Sequence, residues 1–223
     1  MATTVNYTSL ISDLQNYLER GGSDVTDAAV YDQLPRLINA AERKLAQMLK
    51  LLGQIEVLVD APAGLQSGNA IVTKPDRWRA TVNMNYGSGP TFNNRTFLFP
   101  RSLEYIYSYW PDRSATDAAN PPAFYADYDL SHWLIGPTPD QNYPLEIVCY
   151  MQPVLLDDAN QTNFWTDYCP NALLYGALCE AEPFLKDDAR LAMWQQMWQL
   201  ELQMLGTQDL QRMMDRAAER KTV

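Results

Sequence analysis

The sequence predicts an α+β fold in which helices from both ends of the chain form a four-helix bundle with a central β-rich insertion. Apolar residues recur every three or four positions near both ends, as on one face of an α-helix. Between about residues 54 and 151 the period shortens to two, and clusters of Gly, Pro and Asn divide the segment into short strands. At 223 residues and 47% hydrophobic content, the chain can form a core without disulfides.

The N-terminal part carries two amphipathic helical patterns. The first runs from Tyr7 to Arg20, with Thr8 as the expected N-cap and two glycines as its stop. The second runs from Pro35 to Leu52, because a proline in the first helical turn lacks only an N–H that has no partner there. The side of this second helix that we expect to be solvated or to face a partner carries Glu42, Arg43, Lys44, Gln47 and Lys50.

The central segment is predicted to contain short strands and one helix. The strands are expected at residues 54–60, 69–74, 76–86, 123–128, 131–136 and 145–151, and the helix at 101–110, ending before Pro111. The strand at 69–74 is interpreted as returning against that at 54–60. The loop before Leu145 is long enough for a hairpin between the last two strands.

Two more helices are predicted after Pro153. Pro170 begins one, and Asp187 caps the other, in which Trp194 and Trp198 lie on an apolar stripe that nearby methionines and leucines widen. Those widening residues are Met193, Met197, Leu200 and Met204. The residues expected in one four-helix core are Leu10, Leu14, Leu37, Ile38, Ala41, Leu45, Leu174, Ala177, Leu178, Leu191, Trp194 and Trp198.

These elements predict three parts of the chain. Residues 1–53 and 152–206 form one discontinuous helical domain, residues 54–151 form the β-rich insertion, and residues 207–223 form an extended C-terminal tail. Gly206 and Thr207 separate the tail from the preceding helix, since glycine inside a helix is about 1 kcal/mol less favourable than alanine.

The composition argues against several classes of function. Lys and Arg number 17 against 27 Asp and Glu, and the net charge of −10 disfavours a protein that grips nucleic acid by its phosphates. No stretch approaches the roughly 18 apolar residues of a membrane span, and the N-terminus lacks the pattern of a secretory signal. We therefore expect a soluble protein made in a cytoplasm, with no membrane partner.

The sequence contains no pattern typical of catalysis or of a metal site. His132 is the single histidine, and the three cysteines, Cys149, Cys169 and Cys179, lack the spacing of a zinc site, so we predict no cofactor and no metal. Acidic pairs occur at 127/129, 157/158 and 187/188, but adjacent aspartates at a helix start are explained by capping and by the helix dipole. We predict that the protein is not an enzyme.

Four stretches resemble the head-to-tail adaptor (connector, or head-completion) proteins of tailed bacteriophages. They are LLYGALCEAEPFLKDDARLAMW at 173–194, LPRLINAAERKL at 34–45, LIGPTPD at 134–140 and LEIVCYM at 145–151. Their order covers most of the chain, and the resemblance extends to adaptors like tail tubular protein A. In the longest stretch Pro183, Phe184 and Asp187 form the joint between two helices: the proline marks a bend, Phe184 fills the corner and Asp187 starts the next helix.

The resemblance implies a structural virion protein that forms a ring adaptor between the portal vertex and the tail and extends the DNA channel. The implied partners are the portal protein, a tail or nozzle protein and further copies of the chain, usually in a dodecamer. Packaged DNA would pass through without specific binding. The implied location is the head–tail junction of the virion, after assembly in the host cytoplasm.

The C-terminal tail is expected to dock on the portal, although a frayed terminus is an alternative. Its apolar and basic residues would make the contact: Leu210, Arg212, Met213, Met214, Arg216 and Arg220. If they do not, the exposed face of the helix at 35–52 is the next candidate for the docking surface.

A polysaccharide-binding or polysaccharide-degrading phage tail protein is the alternative from another class. It rests on aromatic residues of the insertion, namely Trp78, Tyr86, Tyr105, Tyr107, Tyr109, Trp110, Phe124, Tyr125 and Tyr128. Aromatic residues in strands belong more often to cores and interfaces than to sugar platforms, which favours the adaptor hypothesis.

Overall fold

The computed structural model describes residues 5–18, 30–59, 64–87, 94–112, 119–185 and 190–219, with only the backbone at 182, 184, 185 and 209–219. Within these residues it has six α-helices and two four-stranded sheets, so the predicted α+β class is confirmed. Contacts divide the chain into two compact units, Met1–Gln54 with Gln152–Val223, and Ile55–Met151. We call them the helical unit and the β-rich unit.

The elements have the following bounds. The helices are α1 (Tyr7–Tyr17), α2 (Leu34–Met48), α3 (Leu103–Tyr109), α4 (Phe164–Tyr168), α5 (Pro170–Leu185) and α6 (Leu191–Glu219), and a 3₁₀ turn spans Leu52–Gln54. The strands are β1 (Ile55–Val59), β2 (Ile71–Thr73), β3 (Trp78–Gly87), β4 (Arg95–Phe97), β5 (Phe99–Pro100), β6 (Phe124–Asp127), β7 (His132–Gly136) and β8 (Leu145–Met151).

Helix α5 is the central element of the helical unit and packs against α1, α2, α4 and α6. Its small and apolar residues explain this position, since Ala172, Ala177 and Ala181 are fully buried and allow neighbouring helices to approach closely. Of the predicted core residues, all but three are buried in one apolar cluster. Leu37 and Trp198 are half-buried against that cluster, and Leu191 is half-exposed.

Helix α1 begins at Tyr7, as predicted, but Asn6 rather than Thr8 is its N-cap. The Asn6 side chain accepts a hydrogen bond from the Ser9 N–H (2.8 Å), and the Ser9 hydroxyl accepts one from the Asn6 N–H (2.9 Å). This reciprocal pair satisfies two N–H groups at the helix start, whereas a cap at Thr8 would satisfy one.

The predicted four-helix bundle is not what the structure shows. The helical unit has a fifth helix, α4, and the β-rich unit has a separate apolar core of its own. The sequence pattern did not reveal α4 because a five-residue helix is too short to display a recurring apolar stripe. Its cap is nevertheless readable, since Asn163 accepts hydrogen bonds from the N–H groups of Trp165 and Thr166.

The expected extended tail is also wrong, because α6 continues unbroken through Gly206 and Thr207 to Glu219. A single glycine lowers helix stability by only about 1 kcal/mol, which neighbouring helix-forming residues offset. The Thr207 hydroxyl donates to the Gln203 carbonyl (2.8 Å), so it bonds within the helix instead of competing with it.

The β-rich unit consists of two sheets with the strand orders β1-β8-β3-β4 and β2-β7-β6-β5. All described pairs are antiparallel except β5 with β6. Alternate residues of β8 are buried in the core of this unit, where they join residues of the other sheet such as Trp133 and Ile135. These β8 residues are Leu145, Ile147, Cys149 and Met151.

Two expected strand pairings are wrong. Strand β2 pairs with β7 rather than returning against β1, and β8 lies between β1 and β3 rather than forming a hairpin with β7. Alternation fixes which face of a strand is buried, but it does not select the neighbouring strand. No strand is predicted from the sequence at residues 95–100, which lie at the edge of one sheet as β4 and of the other as β5, with Leu98 buried between them.

The packing of α6 predicts that Trp194→Ala destabilises the protein. Trp194 is 7% exposed, its ring lies edge-on to Tyr17 (centroids 5.7 Å apart) and it stacks with Tyr175 (6.2 Å). We expect the free energy of unfolding in urea to fall by about 3–5 kcal/mol. The control, Met197→Ala, changes an exposed residue of the same helix and should lower it by less than about 1 kcal/mol. Equal midpoints for the two variants would contradict this packing.

Candidate interaction surface

The single histidine forms a local contact with an aspartate. His132 Nδ1 lies 2.9 Å from both carboxylate oxygens of Asp129, at the start of β7, and both side chains are partly exposed. The hydrogen bond from His132 lowers the pKa of Asp129. Asp129 also accepts a hydrogen bond from the Ser131 N–H (2.6 Å), so the pair orders the turn that leads into β7.

The cysteines and acidic pairs serve packing and turns in the described part of the chain. Cys149 is buried, and burial raises the pKa of its thiol to about 11, which keeps it protonated at neutral pH. Asp157 accepts hydrogen bonds from the N–H groups of Ala159 and Asn160. Among the described residues, no group of three or more His, Cys, Asp or Glu side chains is placed to hold a metal ion.

A buried lysine connects the acidic pair Asp127 and Asp129 to the aromatic residues of the β-rich unit. Lys74 Nζ lies 2.7 Å from an Asp127 carboxylate oxygen, 2.8 Å from the Asp129 carbonyl and 3.9 Å from the ring centroid of Trp78. Because a buried ammonium group needs such partners, these contacts explain why Asp127 and Trp78 lie where they do.

The aromatic residues behind the polysaccharide hypothesis mostly pack against one another. Tyr86 and Tyr125 are buried in the β-rich core, and Trp78 lies edge-on to Trp133 (5.8 Å). Tyr105 contacts both Phe124 (5.5 Å) and Tyr109 (4.7 Å), of which Tyr109 remains 65% exposed. These contacts favour a packing role over an open sugar-binding platform.

Glu42 is buried, contrary to the prediction that it lies on the solvated side of α2. The side chain is 1% exposed, and its Oε2 accepts a hydrogen bond from the Leu156 N–H (3.1 Å). Its Oε1 accepts a short hydrogen bond from Asn163 Nδ2, which also donates to the Val154 carbonyl (2.9 Å). In the amide orientation that satisfies its neighbours, Asn39 adds a further hydrogen bond to Oε2 (3.0 Å).

The burial of Glu42 also affects its protonation. Desolvation raises the pKa of its carboxyl group, and the hydrogen bonds from Leu156 and Asn163 partly oppose this shift. The carboxylate thus joins α2 to the chain that returns from the β-rich unit. The nearby Lys44 pairs with Glu180, which connects α2 with α5.

The predicted joint between α5 and α6 is described in part. Pro183 lies in the last turn of α5, which ends two residues later at Leu185. Helix α6 begins at Leu191, and the Arg190 carbonyl accepts the Trp194 N–H (3.1 Å). Asp187 itself and the side chain of Phe184 lie outside the described residues.

Helix α6 has two distinct apolar faces. Trp194 and Trp198 pack on the helical core, as predicted, and Leu202 and Leu205 pack beside them. Met193, Met197, Leu200 and Met204 do not widen that face, because they are 47%, 42%, 50% and 51% exposed. At 100° per residue, they lie about a third of a turn around the helix from the packed face. We call these four residues the methionine stripe.

The predicted portal-docking residues lie on the last part of α6. The backbone of Leu210, Arg212, Met213, Met214 and Arg216 is helical, their side chains are not described, and Arg220 lies outside the described residues. Nearby, a groove of about 350 Å³ is lined by Leu51, Gly53, Phe164, Tyr168, Cys169, Leu205 and Gln208. Tyr168 is 75% exposed at this groove, which no sequence pattern indicated.

These features define an α+β protein with exposed apolar surfaces suited to contacts with other proteins. None of the described helices combines the length and apolar content needed to cross a bilayer. The family model described as SU10 adaptor protein matches residues 5–221, so the chain belongs to the SU10 adaptor protein family. The predicted resemblance to phage head-to-tail adaptors is confirmed, whereas the narrower relation to tail tubular protein A is not. The sequence has no significant match among curated proteins.

The buried carboxylate predicts that Glu42→Gln destabilises the helical unit. The glutamine amide places an N–H₂ group where Glu42 accepts hydrogen bonds from Leu156 and Asn163, so one donor faces another. We expect a loss of about 1–3 kcal/mol in the free energy of unfolding near pH 7. Glu56→Gln, on a half-exposed strand position, is the control and should change it by no more than about 0.5 kcal/mol.

The pH dependence of this difference has a defined sign. The pKa of Glu42 is raised above its ordinary value of 4.5 in the folded protein, so the folded state holds the proton more tightly than the unfolded state. The stability of the wild type relative to Glu42→Gln should therefore be greatest below pH 4.5 and decline as the pH rises through the raised pKa. A difference that grows over this range would contradict the assignment.

Proposed function

We propose that this chain is a structural virion protein that forms a ring adaptor between the portal vertex and the tail and extends the DNA channel. Membership of the SU10 adaptor protein family supports this proposal at the level of a structural phage adaptor. The partners we propose are the portal protein, a tail or nozzle protein and further copies of the chain, in a ring that is a dodecamer.

We propose a division of labour along the chain. Residues 1–53 and 152–206 form the helical body of the adaptor, residues 54–151 form the β-rich insertion, and residues 207–223 dock on the portal. The observation that carries the docking proposal is the length of α6, which continues to Glu219; among the side chains that the structure describes, Leu205 is the last one packed on the helical core. A helix rises about 1.5 Å per residue, so roughly 20 Å of helix follows that last packed residue.

The composition of this segment supports contact with another protein. It carries Arg212, Arg216, Arg220 and Lys221 beside Leu210, Met213 and Met214, so basic residues slightly outnumber acidic ones in this segment of a chain whose net charge is −10. Basic residues would steer it towards an acidic partner surface, and the apolar residues would supply area to bury. The net charge of −10 favours passage of DNA without adhesion, because phosphates are repelled rather than bound.

Deletion of residues 207–223 tests the docking role. We expect the truncated protein to keep its thermal transition, because the core residues of the helical unit that the structure describes precede the deleted segment. Its helical circular dichroism should fall only in proportion to the helix removed. Binding to purified portal rings, measured by co-sedimentation, should be lost. Unchanged portal affinity would place the docking surface elsewhere, with the exposed face of α2 as the next candidate.

Charge variants separate steering from folding. Arg212→Gln with Arg216→Gln should weaken portal binding and reduce its salt dependence, since two attractive charges are removed. Arg77→Gln with Arg79→Gln makes the same change of net charge in the β-rich unit and is the matched control. Equal effects of the two double variants would show that only net charge matters and would contradict a docking role for the C-terminal segment.

A further inference from the structure

We propose that the methionine stripe of α6 is a contact surface between copies of this chain. The inference rests on the proposed ring, because it names a surface through which neighbouring copies would associate. It concerns Met193, Met197, Leu200 and Met204, which are distinct from the C-terminal docking residues.

The geometry of the stripe is that of a helix seam. Its residues are spaced four, three and four apart, which is the alternation of the two apolar positions in a coiled-coil heptad. Each of the four side chains is between 42% and 51% exposed, whereas the neighbouring face of α6 is packed on the core. Three of them are methionines, whose flexible side chains adapt to an opposing surface.

The distribution of charge favours a second copy of the chain as the partner that covers the stripe. From Leu191 to Gln208 the sequence contains one charged residue, Glu201, in a chain whose net charge is −10. Two copies repel each other over most of their surfaces, and the repulsion is weakest where charges are few, as here, where Glu201 is the single charge bordering the stripe. Gln196 and Gln203 border the stripe on the side away from the core, and a glutamine amide both donates and accepts, so like surfaces can pair there.

The size of the stripe predicts a weak contact. The four side chains expose on the order of 400 Å², about half of the roughly 800 Å² that each partner buries in a stable complex. The stripe alone therefore supports association that depends on protein concentration, and further contacts within a closed ring would add to it.

Sedimentation of stripe and control variants tests this surface. The wild type should self-associate as its concentration rises. Met197→Glu with Leu200→Glu should raise the dissociation constant at least about tenfold, because burying the stripe would then bury unpaired charges. Gln195→Glu with Gln199→Glu adds the same charge to the polar face of α6 and should associate like the wild type. All positions are exposed, so the variants should retain the wild-type Tm. Equal dissociation constants for the two double variants would overturn the proposal.

Photo-crosslinking tests the case in which copies of the chain associate with one another only when they are bound to the portal. Benzoylphenylalanine in place of Leu200, with Gln199 as the control position, is irradiated in free protein and on portal rings. Crosslinks from position 200 to a second copy of the chain support the proposal. Crosslinks to the portal protein alone, or none in either preparation, overturn it.

Portal binding is measured separately, so that the two proposals can fail independently. Self-association through the stripe without portal binding would overturn the adaptor function and leave this inference standing. If a stripe variant binds the portal and self-associates as well as the wild type, the adaptor function stands and this inference is overturned.

Discussion

The helical unit is discontinuous, and the buried Glu42 carboxylate joins the part before the β-rich unit to the part after it. Glu42 lies on α2, and its hydrogen-bond donors, Leu156 and Asn163, belong to the chain that returns. Desolvating a carboxylate is unfavourable unless several donors compensate. The returning segment is therefore favoured in the alignment with α2 that brings these donors to Glu42. Asn163 also caps α4, which carries this alignment forward to Pro170, where α5 begins.

The position of α5 in turn determines which face of α6 is buried and which face remains exposed. The small residues of α5 allow close approach, as at Gly176, where a Cβ atom would lie 3.1 Å from the indole nitrogen of Trp198. The two tryptophans of α6 fill that space and orient the helix about its axis. The methionine stripe is then held away from the core, so its exposure follows from the packing of the opposite side chains.

The sequence was sufficient for features that depend on local periodicity. The α+β class and the position of most strands and helices follow from apolar spacing, and β8 has the predicted bounds at Leu145–Met151. Strand partners, the fifth helix and the burial of Glu42 could not be predicted in this way, because they depend on residues far apart in the chain. Glu42 lies among charged neighbours, and two of the donors that make its burial possible, Leu156 and Asn163, are more than 100 positions away.

The same limit explains the interpretation of α6. The sequence pattern predicts Met193 and Trp194 on one broad apolar face. Adjacent residues on a helix differ by about 100°, however, so the two side chains cannot lie on the same narrow face. A helix with a second apolar face and a single charge, Glu201, beside it is poorly suited to an isolated acidic protein, since water gains nothing by contact with exposed methionines. That surface becomes favourable when a neighbour covers it, which links the unusual composition of α6 to assembly rather than to the stability of a single chain.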